Sequence, residues 1–307
     1  MNFKPCSLAQ LFDPPDDYQG VFGWICGYSA DAGFLEDAAE RFSGLTKAQR
    51  EHQGRMMLAV MLDPGNPQIL PSEVPGVLHL PARSLTLPFL LLHAKVAILG
   101  FQGLDRFLLR IIVTTGNWTR QTLEESLDLA WHIDIEDKPA EGSRQERTDL
   151  AAVWSFLSWV RSYFDTRPLD VAIDPNNESA VATQKIAAWA AQLSTRHRGY
   201  RSRFFDNRDA SLLRQLPDLI KHHAGPTARN YLALGSGYYE SVQSGTSELC
   251  QQETHAPQQQ HLYFDHLVCA SNQRGVPGSW TSCSARPPRR ARSARRARRH
   301  NNLCAGQ

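Results

Sequence analysis

The chain has 307 residues, of which 42% are hydrophobic and 21% are charged, and this composition is typical of a globular protein. It contains no run of the roughly 18 apolar residues that a transmembrane helix needs, so we expect no membrane span. The first residues show no basic segment followed by an apolar run, so we expect no secretory signal and a cytoplasmic location. The net charge is +2, but eight arginines lie between Arg286 and Arg299. The other 25 basic residues face 31 acidic ones, which leaves the body of the protein at −6.

The cysteines are widely and irregularly spaced, and no two form a Cys-x-x-Cys pair. Such spacing favours reduced thiols over a zinc site or a disulfide framework. We therefore expect no metal and no cofactor. The six are Cys6, Cys26, Cys250, Cys269, Cys283 and Cys304.

The first third of the chain alternates strand and helix patterns. The pattern predicts a strand over Phe22–Tyr28, a helix over Phe34–Phe42 and a second buried strand over Met56–Leu62. Asp63, Pro64 and Gly65 end that strand with turn chemistry. This order indicates an α/β fold with a mixed sheet flanked by helices.

A third apolar strand, predicted over Leu90–Leu99, carries His93 and Lys95. Residues i and i+2 of a strand point to the same face, so these two side chains should project together. A four-residue connection leads to a further strand, Arg106–Thr115, and predicts an antiparallel hairpin with Thr114 opposite His93.

Gly116 and Asn117 follow this hairpin, and the turn they form should lie just beyond His93. A basic nucleophile, a fixed cation and an amide donor would then converge on a phosphate-sized site formed by His93, Lys95 and Asn117. The alternative interpretation is a structural histidine beside a lysine that buries its stem and extends its ammonium to water.

The His-x-Lys triplet and the Gly-Asn pair resemble the signature of the phospholipase D superfamily over residues 85–165. The common form of that signature has an aspartate five positions after the lysine, where this chain has Gly100. The pattern is therefore more similar to the His-Lys-Asn variant of tyrosyl-DNA phosphodiesterases. The resemblance implies a phospholipase D-like sheet in which His93 attacks phosphorus without a metal, and Lys95 and Asn117 bind the phosphate.

Further elements complete this lobe and suggest where it ends. The sequence predicts a strand over Leu123–Ile135 and an amphipathic helix over Thr148–Phe164 with Thr148 at its N-cap. The polar, proline-containing segment 165–177 then suggests a boundary. The predicted domains are a phospholipase D-like lobe at 1–170, a partial second lobe at 171–250 and a disordered basic tail at 251–307.

The second lobe looks incomplete by comparison with the resembled family. Helices are predicted over Val181–Ser194 and Ala210–His223 and a strand over Arg229–Tyr239, but the second His-x-Lys that the family carries is missing. The general acid must then come from a homodimer, or the protein only binds. The later histidines, none followed by a lysine at the right spacing, are His222, His223, His255, His261 and His266.

The arginine-rich tail has too few apolar residues to offset its ordering entropy, so we expect disorder there. It is either a nucleic-acid-binding arm or the product of truncation of the second lobe, which we favour. In both cases its charge attracts phosphate backbones. The sequence thus favours a phosphodiester hydrolase that acts on nucleic acid through a phosphohistidine, with no membrane partner. The alternatives are a catalytically incomplete phosphate-binding or nucleic-acid-binding module, and a structural domain with a coincidental motif.

Overall fold

The computed structural model describes residues 4–84, 87–89, 91–137, 143–170, 178–195, 197–223 and 279–284. The strands are β1 (Lys4–Pro5), β2 (Gln19–Gly27), β3 (Leu58–Leu62), β4 (Val77–His79), β5 (Val96–Gln102), β6 (Phe107–Thr114), β7 (Leu127–Glu136) and β8 (Ser279–Ser284). The helices are α1 (Ala32–Ser43), α2 (Lys47–Gln53), α3 (Arg120–Glu124), α4 (Arg144–Arg161), α5 (Arg167–Asp170), α6 (Glu178–Leu193) and α7 (Leu212–His223), and a 3-10 turn spans Leu8–Phe12.

The strands form one mixed sheet with six central members in the order β7-β6-β5-β2-β3-β4, and β8 and β1 extend it at the β7 edge. Strands β2, β3 and β4 are parallel, whereas β5, β6 and β7 form an antiparallel meander whose first strand pairs with β2. The sequence-based prediction of a mixed α/β sheet flanked by helices is thus confirmed at this level.

Helices cover both faces of the sheet, and the alternation along β5 shows how the core is divided. Val96 and Ile98 pack with α4 and α6 on one face, and Ala97 and Leu99 pack with α1 on the other. The strands are therefore buried on both sides, which explains why they read as continuous apolar runs.

Helix α1 has clear signals at both ends. The carboxylate of Asp31 accepts a 2.7 Å hydrogen bond from the Phe34 backbone N–H, which caps the first turn. Gly44 ends the helix in the left-handed region at φ 67°, which glycine adopts without steric cost. The predicted helix was therefore correct to within two residues at each end.

Helix α6 falls in the predicted second lobe, but it packs on the same sheet as α4. Ile186 and Trp189 belong to the core cluster on that face, and the Trp189 ring stacks on Phe107 at 4.5 Å. A Cβ added at Gly100 would collide with the Ile186 side chain. The close approach of α6 explains why no side chain occupies the position where the resembled family has aspartate. The domain division at residue 170 stays a prediction.

The predicted hairpin register was wrong by two residues. Gln102 pairs with Phe107, so the connection consists of Gly103–Arg106. The residue opposite Thr114 is therefore Lys95 and not His93. Because the shift is an even number, every side chain keeps its predicted face. The strand also begins at Val96 instead of residue 90. In the segment before it, the Leu92 N–H donates to the Asp63 side chain and not to a neighbouring strand.

Two element boundaries also differ from the prediction. The first residues of the predicted strand 123–135 belong to helix α3, whose N-cap Thr119 accepts a hydrogen bond from the Thr122 backbone. Helix α4 begins four residues before Thr148, whose hydroxyl donates to the Arg144 carbonyl at 2.8 Å instead of capping the helix. Hydroxyl residues serve both inside and at the ends of helices, so sequence alone misplaced this start.

Several predicted features lie outside the described residues. These are the strand at 229–239 and the tail apart from 279–284. The segment 279–284, within the predicted tail, pairs with β7 as strand β8. Among the helices that the structure describes, none has the length and apolar character needed to cross a bilayer.

Candidate functional site

The candidate residues gather at one edge of the sheet. Strands β2, β3 and β6 run in the same direction and end there, and β5 runs the opposite way and starts there. His93 and Lys95 immediately precede β5, and Asn117 follows β6 by three residues. In open α/β sheets, ligands commonly bind outside the carboxyl ends of strands, so the location suits a binding site.

His93 and Lys95 are brought into direct contact. The Lys95 Nζ atom lies 3.1 Å from Nδ1 and 3.2 Å from Nε2 of the imidazole, so the ring nitrogen that carries no proton accepts a hydrogen bond from it in either tautomer. Lys95 is only 2% exposed, whereas His93 is half-buried. The Tyr28 ring, just beyond β2, packs on the imidazole with ring centres 5.4 Å apart. The imidazole thus lies between an ammonium and an aromatic ring.

This environment keeps the imidazole neutral. Burial and, to a smaller extent, the positive charge of Lys95 lower the pKa of His93 from its ordinary value to about 4. At pH 7 the ring therefore carries no charge and keeps one nitrogen lone pair. A neutral imidazole is the form that a phosphorus-directed nucleophile requires.

Asn117 is placed at the same edge by its neighbour Trp118. The Trp118 indole is fully buried and donates to the Cys26 carbonyl at 2.9 Å, and its backbone N–H donates to Ser29 at 3.1 Å. These bonds fix the chain after β6 to the end of β2. The Asn117 Oδ1 atom is buried and has no hydrogen-bond partner among the described residues, and the amide bonds neither to His93 nor to Lys95.

The structure adds a carboxylate that sequence reasoning missed. Asp128, at the start of β7, accepts a 2.7 Å hydrogen bond from the Thr115 hydroxyl. Its Oδ2 lies 2.9 Å from where a Cβ would stand on Gly116, so a residue larger than glycine at position 116 would collide with this carboxylate. Continuing the strand registers places His93, Gly116 and Asp128 in one row across the sheet. The signal in the sequence was a lone aspartate at the start of an apolar strand.

A small cavity of about 40 Å³ adjoins Lys95 and Thr114 on the α4 face of the sheet. Trp131, Phe156 and Phe204 form its apolar walls. This volume holds only a few water molecules.

The histidines proposed as a second catalytic group are not placed by the structure. His222 and His223 end helix α7, but their side chains are not described, and His255, His261 and His266 lie outside the described residues. The described part of the chain contains no cluster of three histidine, cysteine or acidic side chains arranged to hold a metal ion.

No protein-family model matches this sequence, and a search of curated proteins gave no match. The resemblance to the phospholipase D superfamily therefore stays a prediction from the sequence positions of His93, Lys95, Gly116 and Asn117.

Proposed function

We propose that this chain is a phosphodiester hydrolase in which His93 forms a phosphohistidine intermediate. The observation that supports it is the direct contact between a neutral, half-buried imidazole and the buried Lys95 ammonium at an open sheet edge. A bound phosphate oxygen is a stronger acceptor than imidazole, so it draws the ammonium to itself. The ring nitrogen that had accepted from Lys95 then has its lone pair free.

The first chemical step forms a bond between that nitrogen and phosphorus and breaks the bond from phosphorus to the leaving oxygen. The electron pair of the broken bond goes to the leaving oxygen, which takes a proton from a general acid. Lys95 stabilises the charge that builds up on the equatorial oxygens, and the Asn117 amide donates to the same group. Water then attacks phosphorus and gives a proton to the general acid, which was deprotonated in the first step. The phosphorus–nitrogen bond breaks, its electron pair returns to the imidazole, and the phosphate monoester leaves.

The general acid is the part of this mechanism that the described residues do not supply as a histidine. In a homodimer the acid comes from the second copy across a two-fold axis, and in a monomer one of the later histidines provides it. Asp128 is a further candidate, because its carboxylate shares the sheet edge with His93 and is oriented by Thr115.

Nucleic acid is the substrate class that we propose. The arginine-rich segment between Arg286 and Arg299 supplies eight positive charges, while the rest of the chain is negative. Charges of this density bind phosphate backbones, and the affinity falls steeply with salt. The proposal concerns polyanionic phosphodiesters and includes no membrane lipid.

Hydrolysis of bis-p-nitrophenyl phosphate and of a 3′-blocked oligonucleotide tests the proposal. We expect turnover by the wild type and none by His93→Ala, while His79→Asn, which alters another buried histidine, keeps its activity. Mass spectrometry after a rapid alkaline quench should find phosphate on His93, because phosphohistidine survives in base. Turnover that persists in His93→Ala would contradict the mechanism.

The second candidate is a module that binds phosphate without cleaving it. Its support is the burial of Lys95, whose 2% exposure leaves little of the ammonium open to phosphate while His93 accepts from it. Filter binding across a salt series separates the two functions. Retained oligonucleotide affinity without turnover favours the module. A wild-type protein that does not bind the oligonucleotide contradicts both functions.

A further inference from the structure

The turn after β3 makes two contacts close to His93. One is with Leu92, the residue before it, and the other is with Tyr28, whose ring packs on the imidazole. Asp63, the first residue of this turn, is 8% exposed, and its two carboxylate oxygens accept different backbone hydrogen bonds. Oδ2 accepts from the Leu92 N–H at 2.8 Å, and Oδ1 accepts from the Gly65 N–H at 3.1 Å. The residue immediately before His93 is thus tied to the end of a core strand.

Asn66, at the end of the same turn, holds the ring that packs on His93. Its side-chain amide donates to the Tyr28 carbonyl at 2.5 Å and to the Asp63 carbonyl at 3.3 Å. Tyr28 lies just beyond the end of β2, where no ladder hydrogen bond of that strand fixes it. The Asn66 contact holds the Tyr28 carbonyl itself, and the carbonyls of Gly27 and Ser29 on either side accept from the backbone N–H groups of Asp63 and Trp118.

We propose that Asp63 and Asn66 are positioning residues for the nucleophile. Asp63 fixes the backbone before His93, and Asn66 fixes Tyr28 against its ring. This inference rests on the proposed function, since it assigns a role toward the attacking imidazole. Neither residue touches a reacting atom.

The strand geometry explains why the nucleophile needs such support. His93 lies in the segment before β5, and the nearest bond of that segment to β6 is two residues further on, where the Lys95 carbonyl accepts from the Thr114 N–H at 3.1 Å. Without the Asp63 bond, the Leu92 N–H would lose its buried acceptor, and the segment would be free to move toward water. A displacement of about 1 Å at a nucleophile costs on the order of 100-fold in rate.

The titration of His93, followed by NMR of its ring carbon and proton, tests the proposal without requiring catalysis. Burial is the largest cause of the low pKa of His93, so releasing the ring into water should raise that pKa by at least about half a unit in Asn66→Ala. Asp63→Asn should also raise it. Loss of a nearby negative charge lowers a histidine pKa, so a rise in this variant reports solvation and not charge.

Gln68→Ala is the matched control, because Gln68 lies in the same loop but its amide donates to the His79 carbonyl, at 2.7 Å. We expect no change in the His93 pKa there. An unchanged pKa in Asn66→Ala, or an equal rise in Gln68→Ala, would overturn the proposal. If the pKa responds as expected but the wild type hydrolyses nothing, the positioning role stands and the proposed function fails. If the wild type is active, kcat of both positioning variants should fall by tenfold or more.

Discussion

Acidification should weaken this fold through His79, a buried histidine at the end of β4. Its side chain is 6% exposed, and its Nδ1 accepts a 3.1 Å hydrogen bond from the Ile69 backbone N–H. Burial lowers the pKa of His79 to about 4 in the folded state. In the unfolded chain the same group titrates near its ordinary value of about 6.5.

Between these two pKa values the unfolded state binds one more proton than the folded state, so the stability falls as the pH falls. For one such histidine, linkage gives a loss of about 2 kcal/mol between pH 7 and pH 5, and about 3 kcal/mol once the pH is below 4. The stability is fully present above pH 6.5. The loss is a large fraction of the 5–15 kcal/mol that is typical of folded proteins.

Urea unfolding of the wild type and of His79→Asn at pH 7 and pH 5 measures this contribution. Asparagine places an oxygen near the Nδ1 position, so it can still accept from Ile69 but does not titrate. Acidic groups and His93 contribute equally to both proteins and cancel in the comparison. We expect the wild type to lose about 2 kcal/mol more than the variant. Equal losses in the two proteins would refute the reasoning.

Three further outcomes are expected. In the hydrolysis assay, kcat/KM should fall as the pH drops through about 4, where His93 becomes protonated, and an acidic limb near pH 6.5 would contradict the buried imidazole. Asp149→Ala should lower the free energy of urea unfolding by about 3 kcal/mol, because the fully buried carboxylate accepts from both the backbone and the guanidinium of Arg203, and a loss below about 1 kcal/mol would contradict this role. Gly27→Ala should lower the thermal midpoint, because its Cβ would stand 2.6 Å from the Trp118 ring, and an unchanged midpoint would show that the ring can shift.

The elements that the sequence predicted well are those whose signal is local. Continuous apolar runs identified β2, β3 and β6, whereas the strand predicted over Leu90–Leu99 shares only four residues with β5. Helix α1 was found within two residues at each end, between the caps Asp31 and Gly44. The hairpin register depended on which residues form the turn. Gly103 and Arg106 close it through a backbone hydrogen bond that the composition of the connection does not specify.

The candidate site was predictable only in part, for the same physical reason. His93 and Lys95 are in contact, as the two-residue spacing predicted, but both precede β5, so the contact does not come from a shared strand face. The contacts from Asp63 and Tyr28 span 29 and 65 positions of sequence, and they depend on how separate strands end at one edge. No periodicity within a segment encodes such a contact.

The burial of Lys95 bears on why the chain carries this pair at all. A buried ammonium costs free energy that its partners recover only in part, and apolar side chains of similar volume often stabilise a fold more. If His93 and Lys95 served the fold alone, apolar residues like those of β5 would stabilise it more at these two positions. If the pair holds phosphate, as we propose, the chain retains the positive charge in spite of the loss of stability. The cost of the pair therefore favours a functional origin over a coincidental one.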